Sequence, residues 1–217
     1  MASYGVEDFV RDYDVSRETC ARLEQFAELL SHWNRRINLV SKDSLNDIWR
    51  RHIADSAQLR DVIPVYDGAL IDVGSGAGFP GMVLAIMGLA DVHLIEASAR
   101  KCTFLREVAR ITGSPATIHN LRLGDNAALR AALPDAAIVT ARAVSPLVKL
   151  LDIVFPIVYD KTCCIFSKGI QAEDELKVAR QNWQFEAQQI ASKVEPGGVI
   201  LKINNICRHG SFSKGRT

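Results

Sequence analysis

An α/β fold, with a seven-stranded and mostly parallel sheet covered by helices, follows from three observations on the sequence. From residue 69 onward, short apolar runs alternate with amphipathic stretches, which is the pattern of strands joined by crossover helices. One apolar run passes straight into a glycine-rich turn, Leu70-Ile-Asp-Val-Gly-Ser-Gly-Ala-Gly-Phe-Pro-Gly81, as a strand does where it meets a helix beside a ligand. The pattern closes on two runs separated by Glu195-Pro-Gly-Gly198, a hairpin that adds an antiparallel strand.

The elements follow in order. Ser16 caps a helix in which Leu23, Phe26, Ala27, Leu30 and Trp33 recur at helical spacing. A second helix covers residues 44–62 and ends before Pro64. Strands fall at 69–73, 92–96, 116–119, 137–141 and 163–167, with helices at 81–87, 98–111 and 171–183. Ser145 and Pro146 form the N-cap and first turn of a further helix. The hairpin strands cover 186–192 and 199–204. This divides the chain into a helical extension (1–66), a core (67–206) and a basic tail (207–217). The order matches the class I methyltransferase fold, a Rossmann-like relative of the dinucleotide-binding one. Ligands in such sheets sit at the carboxyl ends of the strands. The residues just past each strand are Asp72 to Gly78, Glu96, the segment around Asp125, Arg142 and Lys168.

Composition narrows the function classes. The 217 residues carry a net charge of +1, so nothing draws the whole chain to nucleic acid, and any RNA partner must meet a local patch. Five cysteines, an odd number with no C-x-x-C spacing, argue against a disulfide framework and a zinc site, and suit a cytoplasmic protein. The first residues lack a basic segment followed by an apolar run, and no stretch approaches the roughly 18 apolar residues of a membrane span. A monomer with no membrane partner is expected.

The glycine turn fits the G-x-G-x-x-G pattern at Gly76, Gly78 and Gly81, a match that alone is weak. Asp72 favours a ligand without phosphate. A carboxylate repels a pyrophosphate but suits S-adenosyl-L-methionine, which carries an ammonium and a sulfonium. Pro80 removes one N–H that a phosphate would use. A tight turn with no ligand remains the alternative. Glu96, twenty-two residues after Gly74, can accept hydrogen bonds from both ribose hydroxyls of an adenosine, in either kind of cofactor. Arg142 and Lys168 put two cations at adjacent strand ends, where an RNA phosphate or base edge could dock, unless local acids pair with them.

Cys163 and Cys164 fall at the start of a strand, away from the cofactor end, and read as buried hydrophobes rather than nucleophiles. No Asn-Pro-Pro-Tyr run is present. Two flanks are weakly basic. Residues 32–60 hold six Lys or Arg (35, 36, 42, 50, 51, 60) against three acids (43, 47, 55), and no acid follows Glu195. Together they could form a footprint for structured RNA, whereas each alone reads as a solvated face.

With these residues collected, the chain resembles the RsmG (GidB) family, from about residue 20 to the Gly197-Gly198 hairpin. The resemblance rests on Trp33-Asn34 with Asn38-Leu39, His52 with Asp55-Ser56, the glycine turn with Asp72, Arg142-Ala143 and Lys168-Gly169. It implies a transferase using S-adenosyl-L-methionine to methylate N7 of a guanosine in 16S rRNA of the small ribosomal subunit, guanosine 527 in standard rRNA numbering. Cofactor contacts are expected from Asp72, Gly74, Gly76, Gly78, Phe79, Glu96, Leu123, Gly124, Asp125 and Arg142. The family glutamate of the segment after the third strand is replaced here by Gly124 or Asp125. RNA contacts are expected from Asn34, Arg35, Asn38, Arg50, Arg51, His52, Lys168, Lys214 and Arg216. No metal is expected. Guanine N7 has an in-plane lone pair and no proton, so positioning replaces a catalytic base, with Arg142 and Lys168 as the candidate catalytic residues. A small-molecule methyltransferase should lack the basic flanks, and a non-catalytic assembly factor should lack the Asp72 and Glu96 pair.

Overall fold

A computed structural model describes residues 4–210. One sheet is formed by β1 (Ala69–Val73), β2 (Val92–Glu96), β3 (Thr117–Asn120), β4 (Ala136–Arg142), β5 (Cys163–Lys168), β6 (Trp183–Ala191) and β7 (Val199–Arg208), in the order β3-β2-β1-β4-β5-β7-β6. All neighbours are parallel except β7, which runs antiparallel to both β5 and β6. The chain leaves β1 toward β2 on one side and returns to β4 on the other. The carboxyl ends of β1 and β4 therefore flank the reversal of strand order, where an open α/β sheet holds its ligands.

The central strands are buried on both faces, so they are apolar runs rather than alternating ones. Leu70, Leu94, Ile138 and Ile165 face one cluster, and Ile71, Ile95, Val139 and Phe166 face the other. The first cluster is closed by α1 (Val6–Tyr13), α2 (Arg17–Asn34), α5 (Gly81–Ile86) and α6 (Ala99–Thr112), and contains Phe9, Leu23, Phe26, Met82 and Phe104. The second is covered by α7 (Asn126–Ala132), α8 (Leu147–Val154) and α9 (Ala172–Ala179). The helical extension thus shares one apolar cluster with the sheet. Among the described residues no helix is long and apolar enough to cross a membrane.

Several boundaries depart from the sequence reading. Residues 44–62 are not one helix. After α3 (Lys42–Leu45), a π-helical stretch (Trp49–Ala54) leads into the single turn α4 (Asp55–Ala57) and then a 3-10 turn (Gln58–Asp61). The side chains of Ser56 and Gln58 bond to backbone carbonyls here, Ser56 Oγ to His52 at 2.6 Å and Gln58 Nε2 to Asp55 at 3.2 Å. The segment carries His52 and Asp55 toward the strand ends, a placement typical of π-turns.

The helix expected at 171–183 stops at Ala179, and Trp183 begins β6 opposite Arg208. Ala172, Leu176, Ala179 and Trp183 fit a helical period throughout, so pairing with β7 overrides it. β7 runs to Arg208, so the sheet extends into the region read as tail. The short helices α1 and α7 are additions to the sequence reading; they bury one residue each, Phe9 and Leu129. Ser145 does not cap α8. Pro146 occupies the N-cap position, and the Leu147 N–H donates to Glu175 Oε2 at 2.6 Å instead.

Candidate active site at the strand ends

Four loops converge at the carboxyl ends of β1 to β4. After β1 the chain turns through Gly74 at φ +69°. A Cβ there would lie 2.9 Å from Val144 Cγ2 and 3.6 Å from Leu123 Cδ1, so two apolar side chains close on a backbone that only glycine permits. Leu123 and Val144 come from the loops after β3 and β4. Gly124 faces open space. Glu96, at the end of β2, accepts the Gly76 N–H at 3.0 Å through Oε2 and the Ser98 N–H at 2.7 Å through Oε1. This carboxylate fixes the glycine loop, and each oxygen keeps a second lone pair for a ligand. The cradle is shaped by backbone and apolar side chains with one carboxylate at its edge.

Other expected cofactor residues lie elsewhere. Asp72 is fully buried beneath the loop. Its Oδ1 accepts Thr140 Oγ1–H at 2.8 Å, and a Cβ on Gly81 would lie 2.6 Å from its own Cβ. Burial pushes this carboxyl above the usual carboxylate range. The expectation of an exposed charge beside the ligand is therefore corrected. Asp72 cross-links β1 to β4 under α5, and the argument that it repels a pyrophosphate loses its footing. Gly78 also points inward: at φ +97° a Cβ would meet Met82 Cβ at 2.9 Å and Leu105 Cδ2 at 3.0 Å. Phe79 is a core side chain, stacked on Phe26 at 5.2 Å and on His52 at 4.7 Å. Asp125 commits one oxygen to the Ala128 N–H as the N-cap of α7.

Arg142, expected to face the ligand, is instead held by the extension. Nη1 donates to Asp55 Oδ2 at 3.0 Å and to the Arg51 carbonyl at 2.9 Å, and Nη2 lies 2.8 Å from His52 Nδ1. Its guanidinium sits 5.1 Å from the Phe79 ring. Arginine can only donate, so His52 Nδ1 accepts and Nε2 carries the proton. Burial and then the Arg142 charge lower the His52 pKa to about 3, which keeps the ring neutral. A neutral ring brings no positive charge to a phosphate. Asp55 Oδ1 in turn accepts Gln58 Nε2–H at 2.8 Å, while Gln58 Oε1 accepts the Lys193 N–H at 2.8 Å. A buried polar chain thus ties β4, the extension and the segment after β6 together.

Lys168 is likewise engaged. Its ammonium donates to the Ser145 carbonyl at 2.7 Å and to Glu175 Oε2 at 2.8 Å, with the side chain 8% exposed. Pairing with a local acid prevails over phosphate docking. Asn34 is internal too: its Oδ1 accepts the Leu39 and Val40 N–H groups and its Nδ2 donates to the Val40 carbonyl. Asn38, Arg35, Arg36, Arg50 and Arg51 are exposed. The guanidinium groups of those four arginines make no hydrogen bond or ion pair among the described residues. Lys214 and Arg216 lie outside the described residues.

Beside the cradle lies a cleft of about 570 Å³, walled by Arg142, Val144, Ser145, Ser167, His52 and Asp55. Val144 belongs to both, so cradle and cleft share a side chain. Ile170, 80% exposed, packs against Gly197 and so brings the loop after β5 against the β6–β7 hairpin. A slightly larger hollow, about 640 Å³, lies at the starts of β4 and β5, at the opposite end of the sheet from the glycine loop. Cys163 lines it, and Cys164 beside it is fully buried with its thiol pushed up by burial, which is unsuited to a nucleophile. Gln58, Ser167, Glu175 and Ile170 carry no signal in the sequence reading. Asp55 and Gln58 share a helix face at i,i+3, but nothing local announces a partner more than 130 residues away.

The family GidB, rRNA small subunit methyltransferase G, matches residues 19–200. The chain is 47% identical to ribosomal RNA small subunit methyltransferase G of Paramagnetospirillum magneticum over 94% of this chain and 97% of that one. It is 45% identical to the protein of the same name from Rhodospirillum centenum, over 96% and 94%. Among solved structures, the ribosomal protein L11 methylase of Lactobacillus delbrueckii subsp. bulgaricus shares the fold at TM-score 0.53 and 18% identity, over 70% of this chain and 76% of that one. An MtNAS mutant in complex with S-adenosylmethionine does so at TM-score 0.54 and 12% identity, over 93% and 84%.

Proposed function

The chain belongs to the GidB family of S-adenosylmethionine-dependent rRNA small subunit methyltransferases, and on that premise we propose that it methylates N7 of a guanosine in 16S rRNA. The observation that carries this reading is the shared wall: Val144 closes the glycine cradle on one side and lines the cleft on the other. A methyl donor in the cradle and a base in the cleft would meet there. The cradle fits S-adenosylmethionine. It offers close backbone at Gly74, apolar contacts from Leu123 and Val144, and the free lone pairs of Glu96 for ribose hydroxyls. When bound, that cofactor supplies an electrophilic methyl group on a sulfonium.

The residues of this chain hold and orient. Glu96 fixes the glycine loop, and Arg142, stacked over Phe79 and bonded to His52 and Asp55, fixes the wall between cradle and cleft. Guanine N7 carries no proton to remove, so alignment is the main requirement, and alignment alone contributes several kcal/mol of barrier reduction. The exposed arginines of the extension supply phosphate contacts to the folded subunit. The protein acts as a cytoplasmic monomer in this reading. Incubation with labelled S-adenosylmethionine and small subunits lacking the modification, followed by nucleoside analysis, should recover the label as 7-methylguanosine. Label recovered in another nucleoside, or none, overturns the proposal.

A further inference from the structure

Five buried side-chain polar atoms of the described residues lack a hydrogen-bond partner, and three of them, His52 Nε2, Ser145 Oγ and Ser167 Oγ, belong to residues lining the cleft. Buried polar groups are almost always paired, so such a concentration calls for a cause. Ser145 is available because Glu175 takes over the capping of α8. Ser167 stands on β5 directly beside Arg142 of β4. Both serines are half-buried. No hydrogen bond holds either hydroxyl in its rotamer, so turning about χ1 into the cleft breaks none.

We infer that the hydroxyls of Ser145 and Ser167 bind the polar edge of a purine base in the cleft and align it with the cradle. The inference rests on the reading given under the proposed function and deepens it. A volume of about 570 Å³ lies in the range of small-molecule pockets. Of the three cations that line it, Arg142 is neutralised by Asp55 and Lys168 by Glu175, and the exposed Arg51 shares the lining with the carboxylate of Glu195. Positive charge develops on the purine as N7 takes the methyl group. Neutral hydroxyls and paired charges do not oppose that development as a bare ammonium would. Guanine presents an acceptor, O6, beside N7, and a serine hydroxyl can donate to it.

The test uses the full chain carrying Ser145→Ala with Ser167→Ala. Subunit affinity comes mainly from phosphate contacts, whereas base contacts set alignment. The double variant should therefore lower kcat for subunit methylation at least tenfold, while KM for subunits stays within about twofold of the parent. Its melting temperature should stay level or rise, because no internal hydrogen bond is removed. Ser167→Thr, which keeps the hydroxyl on a strand position, should retain most of the activity. A double variant as active as the parent overturns the inference while the methyltransferase reading stands. A lowered melting temperature also overturns it, because the hydroxyls would then have internal partners. If the parent itself does not methylate subunits, it is the underlying reading that fails.

Discussion

Arg142 and Lys168 stand at the ends of adjacent strands, whereas Arg35, Arg36, Arg50 and Arg51 stand on the helical extension. The first pair looks catalytic in sequence and is structural in place: each cation is ion-paired, and their side chains are 17% and 8% exposed. The second group looks like an ordinary solvated face, yet its guanidinium groups have no partner among the described residues. A cation already bonded to two or three protein acceptors, a carboxylate among them, has little charge to offer a phosphate. An exposed, unpaired one does, and releases counterions when it binds. The same residue type thus builds the wall in one place and can meet RNA in the other.

The largest effect should come from breaking the first group. Arg142→Ala leaves the Asp55 carboxylate without its cation and His52 Nδ1 without its donor. Removing one partner of a mostly buried pair destabilises strongly, so a drop of about 3 kcal/mol is expected in urea denaturation. Methylation should fall with it. Arg142→Lys should recover little, because one compact ammonium does not span the Arg51 carbonyl, Asp55 and His52 together. If Arg142→Ala unfolds at the parent's urea midpoint, the cross-link contributes nothing to stability and the contrast between the two groups collapses.

A second effect sharpens the picture of that wall through pH. His52 stays neutral in the folded chain, with its pKa lowered from 6.5 to about 3. The unfolded chain takes up the proton first as pH falls below 6.5, so stability drops through the window from 6.5 toward 3. The slope is at most about 1.4 kcal/mol per pH unit, hence about 2 kcal/mol between pH 6.5 and 5. Asp72, whose carboxyl is raised by burial, has the opposite sign: the folded chain holds that proton more tightly, so its contribution grows as pH falls. His52→Gln keeps an acceptor for Arg142 but cannot titrate, which isolates the histidine. Its stability should fall less than the parent's across this window. Parallel pH profiles for the two proteins would show that His52 is not held neutral.

The sheet was legible because its strands are short apolar runs punctuated by glycine and proline, and because Glu96 and the glycine loop are local in sequence. The cradle could be read for the same reason. What could not be read is which side chains are already engaged. Lys168 and Glu175 are seven residues apart and meet only because β5 and α9 pack as they do. Arg142 and Asp55 meet across 87 residues. Asp72, Gly78 and Phe79 belong to the glycine motif, yet they face its underside, and no pattern of residue types separates a loop's ligand side from its core side. Trp183 misled by fitting a helical period that sheet pairing overrode.

The smallest effect on stability, and the most selective on function, should come from the second group. Arg50 and Arg51 are exposed, and the Arg51 carbonyl that accepts from Arg142 survives a side-chain truncation. Arg50→Ala with Arg51→Ala should therefore shift stability by no more than about 0.5 kcal/mol. Binding to small subunits should weaken. The log–log slope of affinity against salt should become shallower by about one unit for each phosphate left unneutralised, about two in all. Affinity for S-adenosylmethionine should be unchanged, because neither guanidinium is bonded into the cradle. The contrast with Arg142→Ala is then complete: one substitution weakens the fold and leaves the exposed arginines intact, and the other leaves the fold and thins the footprint. Binding to subunits with the parent's salt slope would place the RNA interface elsewhere and remove Arg50 and Arg51 from it.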